Sequence, residues 1–316
     1  MFKGHRRRVG LIVAGMETEP SPLRAAADFP PEVLRLFDQY VHNVIDRRAF
    51  LDRAASFATS GLTAAAFLEA LNPRFAEAQQ VRPTDERLHA ETIGFPSPHG
   101  NAKARGYLVR PAAKTPAKHP AVLVVHENRG LNPHIEDIAR RLALEGFVAF
   151  APDALAPLGG YPGDEDRARE LFATLDQAKA REDFVAAAAF VRARPESDGH
   201  LGVTGFCYGG GIANVLATRL PDLGAAVPFY GMAPPLDAVP SIKAPLLLHF
   251  AEHDDRINAS WPPYEKALQA AHVRYEAHVY AGAQHGFNND TTPRFDPAAA
   301  KLAWQRTIDF FKRTLR

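Results

Sequence analysis

The feature that most restricts this chain is the glycine-rich run around its only cysteine, Gly205-Phe206-Cys207-Tyr208-Gly209-Gly210-Gly211, set between a short apolar stretch (201–204) and a helix-like one (210–220). A sharp strand-to-helix turn needs small residues two places before and two places after its central side chain, because bulk at either place would meet the neighbouring backbone. The turn presents the central side chain at a helix N-terminus, where the dipole favours thiolate over thiol. A lone cysteine is more often a small buried thiol. The residues that follow in the chain argue against that plainer reading here.

From about residue 89 the pattern alternates between strands and helices. Strands are expected at 91–95, 105–110, 121–125, 147–151, 201–204, 225–230, 246–250 and 275–280, and helices at 135–145, 167–175, 184–194, 210–220, 262–271 and 298–314. The first two strands flank a Pro/Gly turn and read as a hairpin. The longest of the others are continuously apolar, as strands covered on both faces are. The expected class is therefore α/β, with a mostly parallel central sheet and helices on both sides.

The N-terminal part differs. Residues 1 to about 30 look irregular, and the basic cluster Lys3 to Arg8 reads as a solvated tail. In 32–45, Val33, Phe37, Tyr40, Val41 and Val44 recur at helical spacing. In 48–71, Phe50, Leu51, Ala54, Phe57, Ala58, Leu62, Ala65 and Leu68 form a second stripe, ended by Asn72-Pro73. Residues 1–88 thus read as an irregular terminus and helical extension, and 89–316 as the α/β domain. Arg47-Arg48-Ala49-Phe50-Leu51, with Ala76-Glu77-Ala78 beyond it, also resembles a twin-arginine export signal over 40–78. Against export, 46 residues precede the arginine pair, Asp46 and Asp52 flank it, and Glu69 interrupts a weakly apolar run. A packed extension on a cytoplasmic protein is the expectation, with periplasmic export as the alternative.

With 37 basic and 36 acidic residues the net charge is +1, which gives no electrostatic footprint for nucleic acid or an anionic membrane. One cysteine excludes an internal disulfide and a cysteine-rich metal site. The 13 histidines show no metal-binding spacing, so no metal and no cofactor are expected. The expected partner is a small molecule, and a homodimer is left open.

A nucleophile needs a base, an acid to orient the base, and donors for an oxyanion. The segment Ala251-Glu252-His253-Asp254-Asp255-Arg256-Ile257 follows an apolar strand, and Asp254 is its best candidate acid, with Asp255 as the alternative. His285, in Gly282-Ala283-Gln284-His285-Gly286-Phe287, follows the last strand and is the candidate base. The order nucleophile, acid, base is that of α/β hydrolases. Glu127, in Val124-Val125-His126-Glu127-Asn128-Arg129-Gly130, would lie near the thiol. A permanent negative charge there opposes a thiolate unless the two exchange a proton, which makes Glu127 a candidate gate on thiolate formation. Backbone N–H groups of Asn128 and Tyr208 are the expected oxyanion donors.

Taken together, His126 to Leu131, Ala151-Pro152-Asp153, Gly205 to Gly210, Pro228 to Gly231 and Gln284 to Phe287 resemble the dienelactone hydrolase (carboxymethylenebutenolidase) family, over about 90–316. The resemblance implies an α/β-hydrolase fold and a Cys207, His285, Asp254 triad with Glu127 holding the resting cysteine. It also implies hydrolysis of an enol-lactone, without metal or cofactor. The activity expected is that of a hydrolase of a lactone or activated ester, by way of a thioester. Family members bind the substrate carboxylate through arginines, one of them four residues after the histidine. Here that position is Asn289, so Arg129, Arg169, Asn289 and Phe287 are candidate substrate contacts. A ligand receptor on the same scaffold and a redox-responsive thiol protein are the alternatives from other classes.

Overall fold

A computed structural model describes residues 25–58, 63–112 and 117–316; the basic cluster of residues 3–8 and Leu62 of the second helical stripe lie outside the described residues. The strands are β1 (Leu88–Gly94), β2 (Arg105–Pro111), β3 (His119–Val125), β4 (Val148–Pro152), β5 (Ser197–Phe206), β6 (Ala225–Phe229), β7 (Leu246–His253) and β8 (Tyr275–Gln284). They form one 8-stranded sheet in the order β1-β2-β4-β3-β5-β6-β7-β8. The β1–β2 hairpin and the β2–β4 pair are antiparallel, and every other neighbouring pair is parallel.

The helices are α1 (Pro31–Val41), α2 (Arg47–Ala54), α3 (Ala64–Leu71), α4 (Phe75–Ala78), α5 (Pro133–Leu144), α6 (Glu165–Ala173), α7 (Gln177–Arg192), α8 (Tyr208–Arg219), α9 (Asp255–Asn258), α10 (Trp261–Ala270) and α11 (Pro297–Thr314). Alternate residues of the parallel strands feed two cores. Leu123, Leu246 and Leu248 pack with Phe184 of α7, Leu216 of α8 and Leu268 of α10, while Val122 and Leu247 pack with Ile138 of α5 and Phe311 of α11. The sheet is therefore covered on both faces, as its continuous apolar runs require.

Helices α1 to α3 enclose a third core of their own, in which Val33, Phe37, Tyr40, Phe50, Phe67 and Leu71 are buried. The segment 48–71, expected as one stripe, is instead interrupted: α2 gives way to a 3-10 turn at Ala55–Phe57, and α3 starts afresh on Thr63, whose hydroxyl accepts from Ala66 N–H. Helix α1 also stops before the end of its apolar pattern. Asn43 adopts a left-handed φ of 58°, and Asn43 N–H and Val44 N–H return to the carbonyls of Tyr40 and Gln39. This Schellman closure makes His42 the C-cap and turns Val44 out to solvent, 67% exposed.

The chain from α3 to β1 is tied down by polar contacts. Arg74 N–H donates to Thr291 O (2.8 Å) and Val81 N–H to Asp137 Oδ1 (2.8 Å). Gln80 Nε2 donates to Asp290 Oδ2 (2.8 Å), and Arg140 Nε to Val81 O (2.8 Å). Among the described residues no helix is long and apolar enough to cross a membrane.

Candidate active site

The loops leaving the C-terminal ends of β3, β5, β7 and β8 carry Glu127, Cys207, Asp254 and His285 respectively. Cys207 is the N-cap of α8 with φ 56° and ψ −111°, a backbone cost of about 1–3 kcal/mol for a residue with a side chain. The glycines around it make that turn geometrically possible. A Cβ on Gly205 would lie 2.1 Å from Gly209 O, and one on Gly209 would lie 2.2 Å from Val125 O. Cys207 N–H is held by Phe229 O at 3.1 Å, which locks the elbow to β6.

Asp254 is buried as the N-cap of α9 and its Oδ2 meets His285 Nδ1 at 2.5 Å, while Asp255 faces solvent. Of the two candidate acids, only Asp254 is thus in a position to orient the imidazole. His285 is buried with its ring 5.0 Å from that of Tyr230, and it offers a ring nitrogen within 4.8 Å of the Cys207 sulfur.

A second imidazole, which no sequence motif marks, also reaches the cysteine. His42 Nε2 lies 3.3 Å from Cys207 Sγ, and the His42 and His285 rings stand edge to face with centroids 4.9 Å apart. His42 Nδ1 donates to Asp38 O at 2.8 Å, with the Asp38 carboxylate 3.3 Å away. Arg256 Nη2 lies 3.0 Å from His42 Nε2. The donor atoms of His42, Cys207 and His285 all lie within 4.8 Å of one another. That spacing is compatible with a soft divalent cation, but the Arg256 guanidinium beside His42 opposes one. In sequence, the only signal for His42 was its place at the end of an amphipathic helix. Which surface that helix covers is not encoded in its periodicity.

Burial by itself would push the Cys207 thiol up, but the adjacent His285 and His42 overcome this and hold it down at about 5. Burial would in turn lower His285, yet the Cys207 sulfur and the Asp254 carboxylate raise it to about 10. His42 is raised as well, since the sulfur and Asp38 outweigh its desolvation. The favoured state is therefore a thiolate flanked by imidazolium.

Glu127 does not hold the cysteine. Its Oε2 accepts from Asn289 Nδ2 at 3.0 Å, and the groups beside the sulfur are His42 and His285 instead. The loop is braced by His126, which meets Glu127 O through Nδ1 (2.5 Å) and accepts from Ala154 N–H through Nε2 (3.1 Å). Asn128 and Tyr208 border the same space as Cys207.

The candidate substrate contacts fare differently from expectation. Arg129 pairs with Glu165 (3.4 Å) and reaches Val41 O (3.4 Å), where the Asn128 side chain also donates (2.7 Å). Arg169 donates to Asn43 Oδ1 (2.6 Å) and lies 4.1 Å over the Tyr40 ring. Both arginines are thus engaged in holding the end of α1 in place. Phe287 is fully buried in the core between Tyr230 and Tyr280, and Asn289 holds Glu127. Arg294, not singled out in the sequence, reaches Asp38 (3.4 Å) and packs on Phe37.

Between α1 and the elbow remains a cavity of about 40 Å³ bordered by His42, Glu127, Cys207 and His285, room for a few waters only. On the other side of His42, a cavity of about 510 Å³ opens against Cys207 and Tyr208, walled by Phe172, Ile212, Val215 and Met232. Its size suits a small organic ligand.

Two family profiles match the chain: that of the Dienelactone hydrolase family over residues 104–315, and a YqhI-like profile over residues 21–58. A putative carboxymethylenebutenolidase of Escherichia coli is 36% identical over 250 residues, covering 73% of this chain and 90% of the relative. A putative hydrolase fragment, YghX, of the same species is 55% identical over 115 residues, covering 36% of this chain and 97% of the fragment. A solved structure of a putative dienelactone hydrolase from Klebsiella pneumoniae superposes with a TM-score of 0.64 at 32% identity, covering 72% of this chain and 99% of that one.

Proposed function

Since the chain belongs to the dienelactone hydrolase family, and is a hydrolase acting on ester or lactone bonds, we propose that Cys207 is its nucleophile and that hydrolysis runs through a thioester. The observation that carries this reading is the alignment of a strained cysteine elbow with the Asp254–His285 pair, each at the end of its own strand.

The Cys207 thiolate attacks the carbonyl carbon, and the carbonyl electron pair moves to oxygen. Backbone N–H groups of Asn128 and Tyr208 stabilise that oxyanion. Collapse breaks the C–O bond, and the departing oxygen takes the proton of the His285 imidazolium. His285, now neutral and oriented by Asp254, removes a proton from water as it attacks the thioester. The second tetrahedral species expels the thiolate and releases the acid. A thiolate is a better leaving group than an alkoxide, so the first tetrahedral adduct of an ordinary alkyl ester reverts rather than proceeds. An enol-lactone or aryl ester, whose leaving oxygen is stabilised, goes forward. The apolar cavity beside Tyr208 and Phe172 is the place for such a ring. The burial of Phe50 and Ala54 in the layer that contacts the site supports the reading that the arginine pair beside them belongs to a retained structural helix.

The test is a panel of enol-lactones, aryl esters and alkyl esters on the wild type, Cys207→Ala and Cys207→Ser. Turnover of the activated substrates, reduced about 10⁴-fold or more in Cys207→Ala, supports the proposal. Undiminished turnover in Cys207→Ala, or none in the wild type, rejects it.

A further inference from the structure

We propose that His42, contributed by the N-terminal helical layer, is the resting partner of the Cys207 sulfur, in the role that a glutamate on the β3 loop was expected to play. Cys207 as nucleophile, proposed above, is the premise.

The geometry stands on three independent features. His42 Nε2 is within hydrogen-bonding reach of the sulfur at 3.3 Å, whereas the Glu127 carboxylate accepts from Asn289. The imidazole is aimed by a built device rather than by a loose loop: the Schellman closure at Asn43 fixes His42 as C-cap, and Nδ1 is anchored on Asp38 O at 2.8 Å. The helix C-terminus and the Asp38 carboxylate 3.3 Å from Nδ1 both favour the imidazolium form. His42 is thus oriented by the Asp38 carbonyl and charged by the Asp38 carboxylate, whereas for His285 the Asp254 carboxylate does both.

Proton transfer is conservative. Cys207 S–H gives its proton to His42 Nε2, leaving a thiolate that accepts the resulting N–H. The charged groups facing His42 are Asp38 on its own helix, Cys207 at the elbow, His285 on the β8 loop and Arg256 on α9, with Arg294 behind Asp38. Arg256 donates to Nε2 only while that nitrogen carries no proton, and its guanidinium is exposed and free to turn to solvent when it does. His42 also lines both of the cavities that reach the sulfur, so its ring is part of the wall an incoming acyl group meets. The layer thereby supplies both a partner for the thiolate and a shape restriction on the substrate.

The experiment follows the rate of Cys207 alkylation by iodoacetamide against pH in the intact chain, for wild type, His42→Gln, His42→Ala and Asp38→Asn. Because Cys207 is the only cysteine, the modification reports on it alone. Expected is a midpoint moved upward by about one pH unit in both His42 variants, a tenfold loss of thiolate below the midpoint, and a smaller shift in the same direction in Asp38→Asn, with melting temperatures close to wild type. A second readout needs no substitution in the folded layer: capping Cys207 with methyl methanethiosulfonate should lower the NMR titration midpoint of the His42 ring, since the thiolate that favours its proton is gone. An unmoved alkylation midpoint in the folded His42 variants, or an unmoved His42 midpoint on capping, overturns the proposal. Either result, combined with loss of turnover in Cys207→Ala, sinks the role of His42 and leaves the nucleophile intact.

Discussion

His42 Nε2 sits 3.3 Å from Cys207 Sγ across a sequence separation of 165 residues. The contact joins the N-terminal helical layer to the hydrolase elbow, and the layer's grip on the domain surface determines whether it persists. Tyr40 and Arg47 both engage Asp166 of α6, and Val41 O is held from the β3 loop by Asn128.

That grip depends on a small core, so loosening the core should expose the thiol. Phe50 is fully buried among Phe37 and Tyr40. Phe50→Ala removes packing worth about 3–5 kcal/mol, and Cys207 should then react several-fold faster with a bulky aromatic disulfide relative to iodoacetamide. An unchanged ratio of the two rates would mean that the layer does not limit access.

The acid and base limbs of activity follow from the ion pair. The thiol is depressed from its usual range to about 5, so the thiolate survives down to that pH and is lost below it. His285 is raised to about 10, so its proton is lost only as pH rises through that value. Stability follows a narrower window: the thiol's contribution is full above its unfolded value of 9.0 and is lost as pH falls towards 5, while that of His285 is full below 6.5 and is lost as pH rises towards 10. kcat/KM for an aryl ester should therefore rise through about pH 5, stay level, and fall near pH 10. A single limb centred above pH 8, near that of an unperturbed cysteine, would contradict the paired state.

The two neighbouring aspartates separate cleanly. Asp254→Asn leaves a side chain of the same shape but takes away the charge that orients His285, and should cost about 10²–10⁴ in kcat. Asp255→Asn alters a solvent-facing group and should leave kcat within about twofold. Equal effects from the two would remove Asp254 from the mechanism.

The elbow glycines can be tested against a control in the same helix. A methyl group at Gly209 would sit 2.2 Å from Val125 O, while one at Gly211 would meet nothing nearer than 3.7 Å. Gly209→Ala should cost about 1–3 kcal/mol or more, whereas Gly211→Ala should stabilise by about 0.5–1 kcal/mol through helix propensity. Thermal melts of the two variants give the comparison directly.

The centre of the sheet was readable in the sequence because β3, β4, β6 and most of β7 are apolar runs bounded by turn residues, whereas β1 and β8 mix polar and apolar residues and are only partly buried. β3, buried on both faces, is legible from Val122, Leu123 and Val124 alone. The elbow and the Asp254–His285 pair were readable for a related reason: each follows its strand immediately, so position along the chain is position at the sheet edge. The extension was harder. Its stripe told that Phe37 and Tyr40 are buried but not against what, and Val44 continued the pattern past the true end of α1 at Val41. A contact such as His42 on Cys207 depends on how two surfaces dock, which no local pattern records. Arg129 and Arg169 came forward through the family resemblance alone, and that they clasp Val41, Asn43 and Tyr40 depends on the same docking.

The most direct test of the central claim is the mass of the intact protein, quenched in acid within milliseconds of mixing with an aryl ester and mapped by peptide. Cys207 as nucleophile predicts one acyl group, located on Cys207, transient in the wild type, accumulating in His285→Ala if that histidine activates water, and absent from Cys207→Ala. An acyl group on any other residue, or hydrolysis at wild-type rate in Cys207→Ala, would contradict it.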